Sequence, residues 1–263
     1  MSSDDAVLLE DPAPGVRLIT LNRPQVRNAM TAEVTAAWTA AIAKVADDGD
    51  VRALVVTGAG SSFCSGADLS WLDQGASQDT TPARMRDRML PFYRTWLSPR
   101  ELPFPVIAAI NGPAVGAGLC AALACDLRYA STSARFSAPF IYLGTHGGMA
   151  ATWLLPEAIG VTRAREMLYT GRELLPEEAL AWGLVSGVAD HVLEHSLKVA
   201  QQIATAAPIA TRFTKAGLEQ SANGLAASLQ WEALAQPVTL ATSDVHEGIQ
   251  AKRERRPPIF TGN

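Results

Sequence analysis

Apolar residues in the first part of the chain switch between strand-like runs and helical spacing. Residues 16–22, VRLITLN, alternate and stop at an Arg-Pro-Gln turn, which predicts a strand. Thr31 precedes apolar positions at helical spacing as far as Val45, which predicts a capped helix, and residues 52–57, RALVVT, predict a buried strand. Strand, helix and strand in this order predict a right-handed crossover that joins two parallel strands.

The middle of the chain repeats this alternation around a second glycine-bearing loop. Residues 83–97 predict a helix, and the continuous apolar run at 106–110 is typical of a parallel strand that is buried on both faces. Glycines open the following Ala/Leu-rich stretch, so a helix is expected to begin near Gly116. A further strand is predicted at 126–130.

Helical spacing dominates from about residue 147 onward. The predicted helices cover 150–158, 163–169, 176–182, 192–206, 209–223 and 225–241. No repeat with a period of 20 to 50 residues occurs, which argues against a solenoid. The pattern therefore predicts an α/β core over residues 1–200 and a helical region over 201–263.

Composition fits a folded, non-basic protein. The 263 residues are 48% hydrophobic, enough for one large core or two modest ones. A formal net charge of -4, with 18% charged residues, provides no global basic field and argues against a nucleic-acid partner. The start of the chain is acidic, and no run of roughly 18 apolar residues occurs, so neither a signal peptide nor a membrane span is expected.

Cysteine and histidine usage argues against disulfides and metals. Cys64, Cys120 and Cys125 form an odd set without CxxC spacing, which fits a protein of the reducing cytoplasm. Among the four histidines only His191 and His195 have a ligand-like spacing, and a surface pair on one helix face explains it. We expect no metal ion.

Two glycine-bearing loops carry the candidate chemistry. SFCSGADL occupies residues 62–69 and NGPAVGAG occupies residues 111–118. The second loop runs into a helix, whose first turn offers unsatisfied N–H groups and the positive end of the helix dipole. If the Ala67 N–H converges with that of Ala117, the two donors bracket one carbonyl oxygen and form an oxyanion hole.

The chain resembles the crotonase (enoyl-CoA hydratase/isomerase) superfamily over nearly its whole length. The strings that carry the resemblance are LNRPQVRNAM at 21–30, SFCSGADLS at 62–70, VIAAINGPAVGAGLCAALACDLRYAS at 106–131 and EGIQAKRERRPPIF at 247–260. The resemblance implies an α/β fold, a crotonase-like ββα spiral core with a helical C-terminal trimerisation region. It also implies a homotrimer or a dimer of trimers.

The same resemblance assigns site residues and a substrate class. It makes Ala67 and Ala117 the oxyanion donors for an acyl-CoA thioester, with coenzyme A as part of the substrate and no tightly bound cofactor. The residues expected to line the CoA site are Arg27, Ala29, Ser65, Asp68 and Leu69. Lys252, Arg255 and Arg256 in the C-terminal basic cluster are candidates to contact the phosphates of a neighbouring subunit's CoA, and a solvated tail is the alternative.

Three positions depart from the pattern of the family's hydratases and isomerases. The two hydratase glutamates, which hold and activate a water, correspond to Cys120 and Phe140, and the isomerase carboxylate corresponds to Gly148. A phenyl ring accepts no proton, and a buried thiol without a nearby cation has a raised pKa. His146 is the remaining candidate acid or base of this region, with a structural histidine as the alternative.

Two functional hypotheses stay open from the sequence. One is an acyl-CoA enzyme of altered chemistry, and the other is a catalytically silent protein that binds acyl-CoA. In both, Phe140 makes the acyl site apolar, and the aromatic residues expected to add to it are Trp71, Phe92, Trp96, Tyr142 and Trp153. A Rossmann enzyme or a serine hydrolase would need GxGxxG after the first strand or a GxSxG elbow, and the sequence has neither.

Overall fold

A six-stranded sheet forms the centre of the protein. The computed structural model describes residues 5–68, 81–221 and 224–263. In this sheet the strand order is β1-β2-β3-β4-β6-β8, with β1 antiparallel to β2 and the other neighbours parallel, and β5 and β7 pair separately. The strands are β1 Val7–Ala13, β2 Val16–Leu21, β3 Ala53–Gly58, β4 Val106–Ile110, β5 Ala114–Val115, β6 Leu127–Ala130, β7 Phe136–Ser137 and β8 Gly187–Val188.

Ten α-helices accompany the strands in the described ranges. They are α1 Ala32–Asp47, α2 Pro82–Leu97, α3 Ala117–Leu123, α4 Ala151–Ile159, α5 Val161–Thr170, α6 Pro176–Trp182, α7 Val192–Ala204, α8 Pro208–Ser221, α9 Leu225–Leu240 and α10 Ser243–Glu254. The predicted parallel pair is confirmed, because β2 and β3 pair in parallel and α1 lies between them in the chain. The Thr31 hydroxyl accepts a hydrogen bond from the Val34 N–H and caps α1.

The central parallel strands β3 and β4 are buried on both faces, as their continuous apolar runs predict. All six residues of β3 are buried, and successive side chains point to opposite sides of the sheet. Leu54 and Val56 belong to the larger core, which includes the inner face of α1, whereas Ala53 and Val55 pack with α7. Helices on both faces hold the sheet and fix the loops that leave its edge.

The sequence patterns missed elements at both ends of the chain. β1 was not predicted, since its sequence VLLEDPA is half polar and contains a proline. α10 was not predicted either; it contains Lys252, whereas Arg255 and Arg256 follow its last residue. The boundary expected at residue 200 falls inside α7.

Candidate functional site

The two glycine-bearing loops leave adjacent parallel strands at the same edge of the sheet. Residues 59–68 follow β3, and residues 111–116 follow β4, so both loops begin at carboxyl ends of strands, where open α/β sheets place their ligands. The Asn111 side chain joins the loops: its carbonyl oxygen accepts from the Gly58 N–H at 3.1 Å, and its amide donates to the Gly60 carbonyl at 3.0 Å. The Val115 N–H adds a bond to the Cys64 carbonyl at 3.0 Å.

Glycine is required where the loops touch. A Cβ on Gly118 would lie 2.2 Å from the Cys64 carbonyl oxygen, and a Cβ on Gly66 would lie 2.6 Å from that of Val115. Gly116 has φ 54° and ψ -116°, a conformation in which an L side chain is strained. The glycines that the sequence singled out therefore permit the backbones of the two loops to approach each other closely.

A third segment supports the first loop from behind. The Ser65 N–H donates to the Arg27 carbonyl at 3.0 Å, and the Met30 N–H donates to the Gly66 carbonyl at 2.9 Å. Arg27 and Asn28 both have left-handed backbone, with φ 53° and 55°. This turn carries the exposed Arg27 side chain at the edge of the site.

A cavity of about 470 Å³ opens between these loops and the helices beside them. Its size lies within the range of small-molecule sites. The segments that line it are the turn at residues 26–29, the two loops with the start of α3, α2 and residues 139–149. Its lining residues are Val26, Arg27, Ala29, Ser65, Gly66, Ala67, Asp68, Met89, Phe92, Tyr93, Val115, Gly116, Ala117, Pro139, Phe140, Leu143, Thr145, His146, Gly148 and Met149.

Ala67 and Ala117 lie on neighbouring parts of this lining. A Cβ on Gly66 would come within 3.3 Å of the Ala117 nitrogen, and the Ala67 nitrogen is bonded to the Gly66 carbonyl carbon. Ala117 is the first residue of α3, so its N–H has no acceptor within the helix. Within the described ranges, no backbone hydrogen bond uses the N–H of either alanine.

The structure brings most of the sequence-predicted site residues to this cavity. Arg27, Ala29, Ser65, Asp68, Phe140 and His146 line it together with the two alanines. Leu69 lies outside the described residues. His146 is exposed, and its position next to Gly147 predicts a helix start there, but α4 begins only at Ala151.

Cys120 is placed behind the cavity wall. It is 1% exposed in α3, and its Sγ lies 3.7 Å from the Gly148 carbonyl oxygen. Burial raises the pKa of Cys120 to about 12, so the thiol stays protonated at neutral pH. In these surroundings Cys120 is an inert, packed cysteine.

Three of the expected aromatic residues are elsewhere. Trp96 is fully buried and stacks on Trp38 with ring centroids 5.0 Å apart, while Tyr142 is exposed and lies against Gly171. The Arg100 guanidinium covers the ring of Trp153. Phe92 does line the cavity, and Trp71 lies outside the described residues.

Tyr93 is a cavity residue that the sequence reasoning overlooked. It lies on α2 with Met89, Phe92 and Trp96, at the i, i+3, i+4, i+7 spacing of one helix face. The sequence shows this spacing, which predicts an apolar helix face but not the polar contribution of one phenol. The phenol makes this wall of the cavity polar at one point.

The basic cluster lies away from the cavity within one chain. Arg256 pairs with Glu247 and Glu254, and Lys252 lines a separate cavity among α8, α9 and α10. Among the described residues, neither Lys252 nor Arg255 takes part in an ion pair. Their contact with a neighbouring subunit's ligand stays a prediction.

Membrane spans and metal clusters are both absent from the part of the chain that the structure describes. No helix there has the length and apolar character needed to cross a membrane. No group of three or more histidine, cysteine, aspartate or glutamate residues lies in an arrangement that suits a metal ion within those ranges.

Comparison with known proteins gives a consistent result over the whole chain. The family model described as enoyl-CoA hydratase/isomerase matches residues 12–263. The chain is 40% identical to the probable enoyl-CoA hydratase echA12 of Mycobacterium bovis over 270 residues, covering 99% of this chain and 94% of that protein. It is 39% identical to the (E)-benzylidenesuccinyl-CoA hydratase of Thauera aromatica over 253 residues, covering 94% and 96%.

Solved structures agree with these sequence relatives. The enoyl-CoA hydratase of Bacillus anthracis superposes with a TM-score of 0.91 at 33% identity, covering 98% of this chain and 100% of the other. The enoyl-CoA hydratase subunit of Geobacillus kaustophilus gives a TM-score of 0.90 at 31% identity, with full coverage of both chains. The predicted α/β fold class is thereby confirmed, and a trimerisation role for the C-terminal helices stays a prediction.

Proposed function

The chain belongs to the enoyl-CoA hydratase/isomerase family, and from this premise we propose that it binds acyl-CoA thioesters and polarises the thioester carbonyl with the Ala67 and Ala117 N–H groups. Coenzyme A enters as part of the substrate. The protein then acts in fatty-acid or other acyl-CoA metabolism, as the names of its relatives suggest.

The observation that carries this proposal is the pair of uncommitted amides on one cavity wall. Donors fixed by a helix start and by a packed loop need no reorganisation when negative charge develops on the carbonyl oxygen. One such donor commonly stabilises a transition state by about 3 kcal/mol. The close contacts at Gly66 and Gly118 support the required approach of the two loops.

The rest of the cavity suits the two ends of such a ligand. Arg27, Ala29, Ser65 and Asp68 border its polar side, where the exposed Arg27 guanidinium suits a phosphate or a polar pantetheine group. Apolar side chains also line the cavity, namely Met89, Phe92, Val115, Phe140, Leu143 and Met149. A hydrophobic acyl chain fits these walls.

A second candidate function is binding without turnover. It is favoured by the two residues at the hydratase glutamate positions. Cys120 is buried outside the cavity lining, and the ring of Phe140 faces Gly116, where a Cβ would lie 3.7 Å from the ring. Neither group moves a proton at neutral pH. Under this alternative the protein sequesters or presents the thioester.

The experiment that tests the main proposal removes one amide hydrogen without removing a side-chain contact. Proline is tolerated at the first position of a helix, so Ala117→Pro deletes the N–H while α3 is retained. We expect the variant to bind free CoA like the wild type and to lose the additional affinity for butyryl-CoA, both measured by calorimetry. The infrared stretch of a ¹³C-labelled thioester carbonyl should move to lower wavenumber only in the wild-type complex.

A matched control uses the first residue of another helix. Val161 starts α5, is 52% exposed and does not line the cavity, so Val161→Pro should leave both affinities and the carbonyl stretch unchanged. If folded Ala117→Pro still lowers the carbonyl frequency as the wild type does, the oxyanion assignment is wrong. Failure of the wild type to bind any thioester would reject the proposal itself.

A further inference from the structure

The cavity contains a half-buried phenol close to the positions where the sequence lacks carboxylates. A Cβ built on Gly148 would lie 2.7 Å from the Tyr93 Oη, so this oxygen sits beside the backbone of residue 148. The Met149 backbone amide and Cys120 are both near enough to influence the pKa of this phenol. Because the Cys120 Sγ lies 3.7 Å from the Gly148 carbonyl oxygen, the phenol is near both positions.

Cys120, which is near the phenol, follows the oxyanion donor Ala117 by about one helical turn. Cys120 is three residues after Ala117 in α3, so the two residues lie on the same side of that helix. Three residues of an α-helix span roughly 4.5 Å along its axis. A thioester whose oxygen meets the Ala117 N–H extends its next carbons over about this distance, which brings them toward the phenol.

The surroundings keep the phenol protonated and oriented. Burial raises the pKa of Tyr93 above its ordinary value and outweighs the opposing effect of the Met149 backbone amide. A protonated phenol is a hydrogen-bond donor, and Tyr93 lines the cavity where an acceptor would bind. Trp96 lies on the same face of α2 as Tyr93 and stacks on Trp38 of α1, which fixes the position of this helix face.

We propose that Tyr93 is the catalytic proton donor of this site, taking the place of the missing carboxylates in the hydration of a 2-enoyl thioester. The inference rests on the proposed function, because it needs the thioester oxygen at the two amides. The phenol O–H proton passes to the α-carbon as the electron pair of the α,β double bond forms the new C–H bond. The oxygen of a water bonds to the β-carbon, and the proton released by that water restores the phenol.

Gly148 and Tyr93 depend on each other in this arrangement. A side chain at residue 148 would push against the phenol oxygen, at the far end of a long side chain. Gly148, which stands at the position of the isomerase carboxylate, thus leaves room for the Tyr93 phenol as a different proton carrier. Gly148→Ala should displace the phenol without deleting it.

The decisive variant is Tyr93→Phe, which removes only the hydroxyl. We expect hydration of crotonyl-CoA and trans-2-decenoyl-CoA, followed by loss of enoyl absorbance, to fall about 100-fold or more in kcat. Calorimetric affinity for the same thioesters should change less than about threefold. Tyr169→Phe, an exposed tyrosine outside the cavity lining, serves as the matched control and should keep wild-type rates.

Two further measurements separate a chemical role from a structural one. Wild-type hydration should decline only above a pH of about 10, where a phenol begins to lose its proton. In the double variant, Gly148→Ala should cause little loss beyond that of Tyr93→Phe alone, since both changes act on one group.

The outcomes distinguish this inference from the proposed function. Tyr93→Phe with kcat within threefold of the wild type would overturn the assignment. So would a wild-type protein that binds enoyl thioesters and hydrates none, although the binding proposal would then stand. Absence of thioester binding in the wild type would overturn both.

Discussion

Asn28 shows how one buried polar residue supports the site. It is 0% exposed, and its side-chain oxygen accepts from the Arg23 N–H at 2.9 Å. Its side-chain amide donates to the carbonyls of Ala59 and Ser62 at 2.9 and 2.8 Å. Two of these bonds tie the turn behind the cavity to the loop that carries Ala67, and the third closes the turn itself.

Replacing Asn28 with alanine should destabilise the protein by about 2–3 kcal/mol. Three backbone groups would lose their partner in a buried place, and alanine would be strained at φ 55°. Denaturation by urea measures the loss. Asn28→Gly is the control for backbone strain, and a loss below about 0.5 kcal/mol in both variants would contradict the role assigned to the hydrogen bonds.

Glu247 fixes the end of the chain through a charged hydrogen-bond set. It accepts from the Arg256 guanidinium at 2.6 and 2.8 Å and from the Ile259 N–H at 2.8 Å. The Arg256 bonds, with the Ile259 N–H, lower the pKa of Glu247 to about 2. The carboxylate therefore stays charged far into the acid range.

This shift predicts the pH dependence of the tail contact. Because the folded pKa lies below the value of an unfolded chain, the contact is fully present above a pH of about 4.5 and is lost as pH falls toward about 2. The Ile259 amide chemical shift should follow that low midpoint, and in Glu247→Gln the transition should be absent. A midpoint at the ordinary glutamate value would contradict the assignment.

At the scale of elements, a buried ion pair attaches α8 to the core. The Lys215 ammonium is 2.8 Å from the Asp126 carboxylate and also donates to the Pro99 and Phe104 carbonyls. Asp126 in turn accepts from the Val106 N–H at the start of β4. The C-terminal helices are thus joined to the end of the sheet opposite the cavity loops.

Lys215→Ala should lower the free energy of unfolding by about 3 kcal/mol, because it leaves a partly buried carboxylate without its cation. Lys198→Ala is the matched control, since Lys198 forms an exposed i,i+4 pair with Glu194 and should cost less than about 0.5 kcal/mol. Thermal or urea unfolding of the two variants provides the comparison. Equal losses of unfolding free energy in the two variants would show that the Lys215 pair stabilises the protein no more than the exposed Lys198 pair.

At the scale of the whole molecule, α9 presents apolar side chains that one chain leaves uncovered. Leu225, Leu229 and Leu234 are 76%, 56% and 72% exposed. Exposed apolar surface of this kind marks interaction surfaces. It supports the expected homotrimer, alone or paired into a dimer of trimers.

Sedimentation should therefore give a trimer or a multiple of it. Leu234→Glu places a charge on the exposed apolar surface of α9, and we expect it to shift the protein toward monomer. A wild-type monomer at micromolar concentration would refute the expected assembly.

The expected assembly also gives a test for the basic cluster. If Lys252 and Arg255 contact the CoA phosphates of a neighbouring subunit, each change to alanine should weaken CoA binding at low salt and less so at high salt. An acyl-pantetheine thioester, which lacks the phosphates of CoA, is the control ligand, and the variants should bind it with unchanged affinity. Unchanged CoA affinity in both variants would leave the solvated-tail alternative.

The sequence by itself determined the alternating core and the chemistry of its loops. Continuous apolar runs fix which strands are buried on both faces, and Gly66, Gly116 and Gly118 mark where backbones need room that a Cβ would fill. Those are local properties, so periodicity and residue type reveal them. β1 and α10 escaped because polar residues interrupt their apolar patterns.

Only the tertiary structure decided which side chains share the cavity. Tyr93 is far from Cys120 and Gly148 in sequence, and the packing of α2 on α1 through Trp96 and Trp38 brings its phenol beside them. The same packing removes Trp96 from the acyl site. Contact between distant residues depends on how helices pack around a common core, and no short-range pattern along the chain encodes that arrangement.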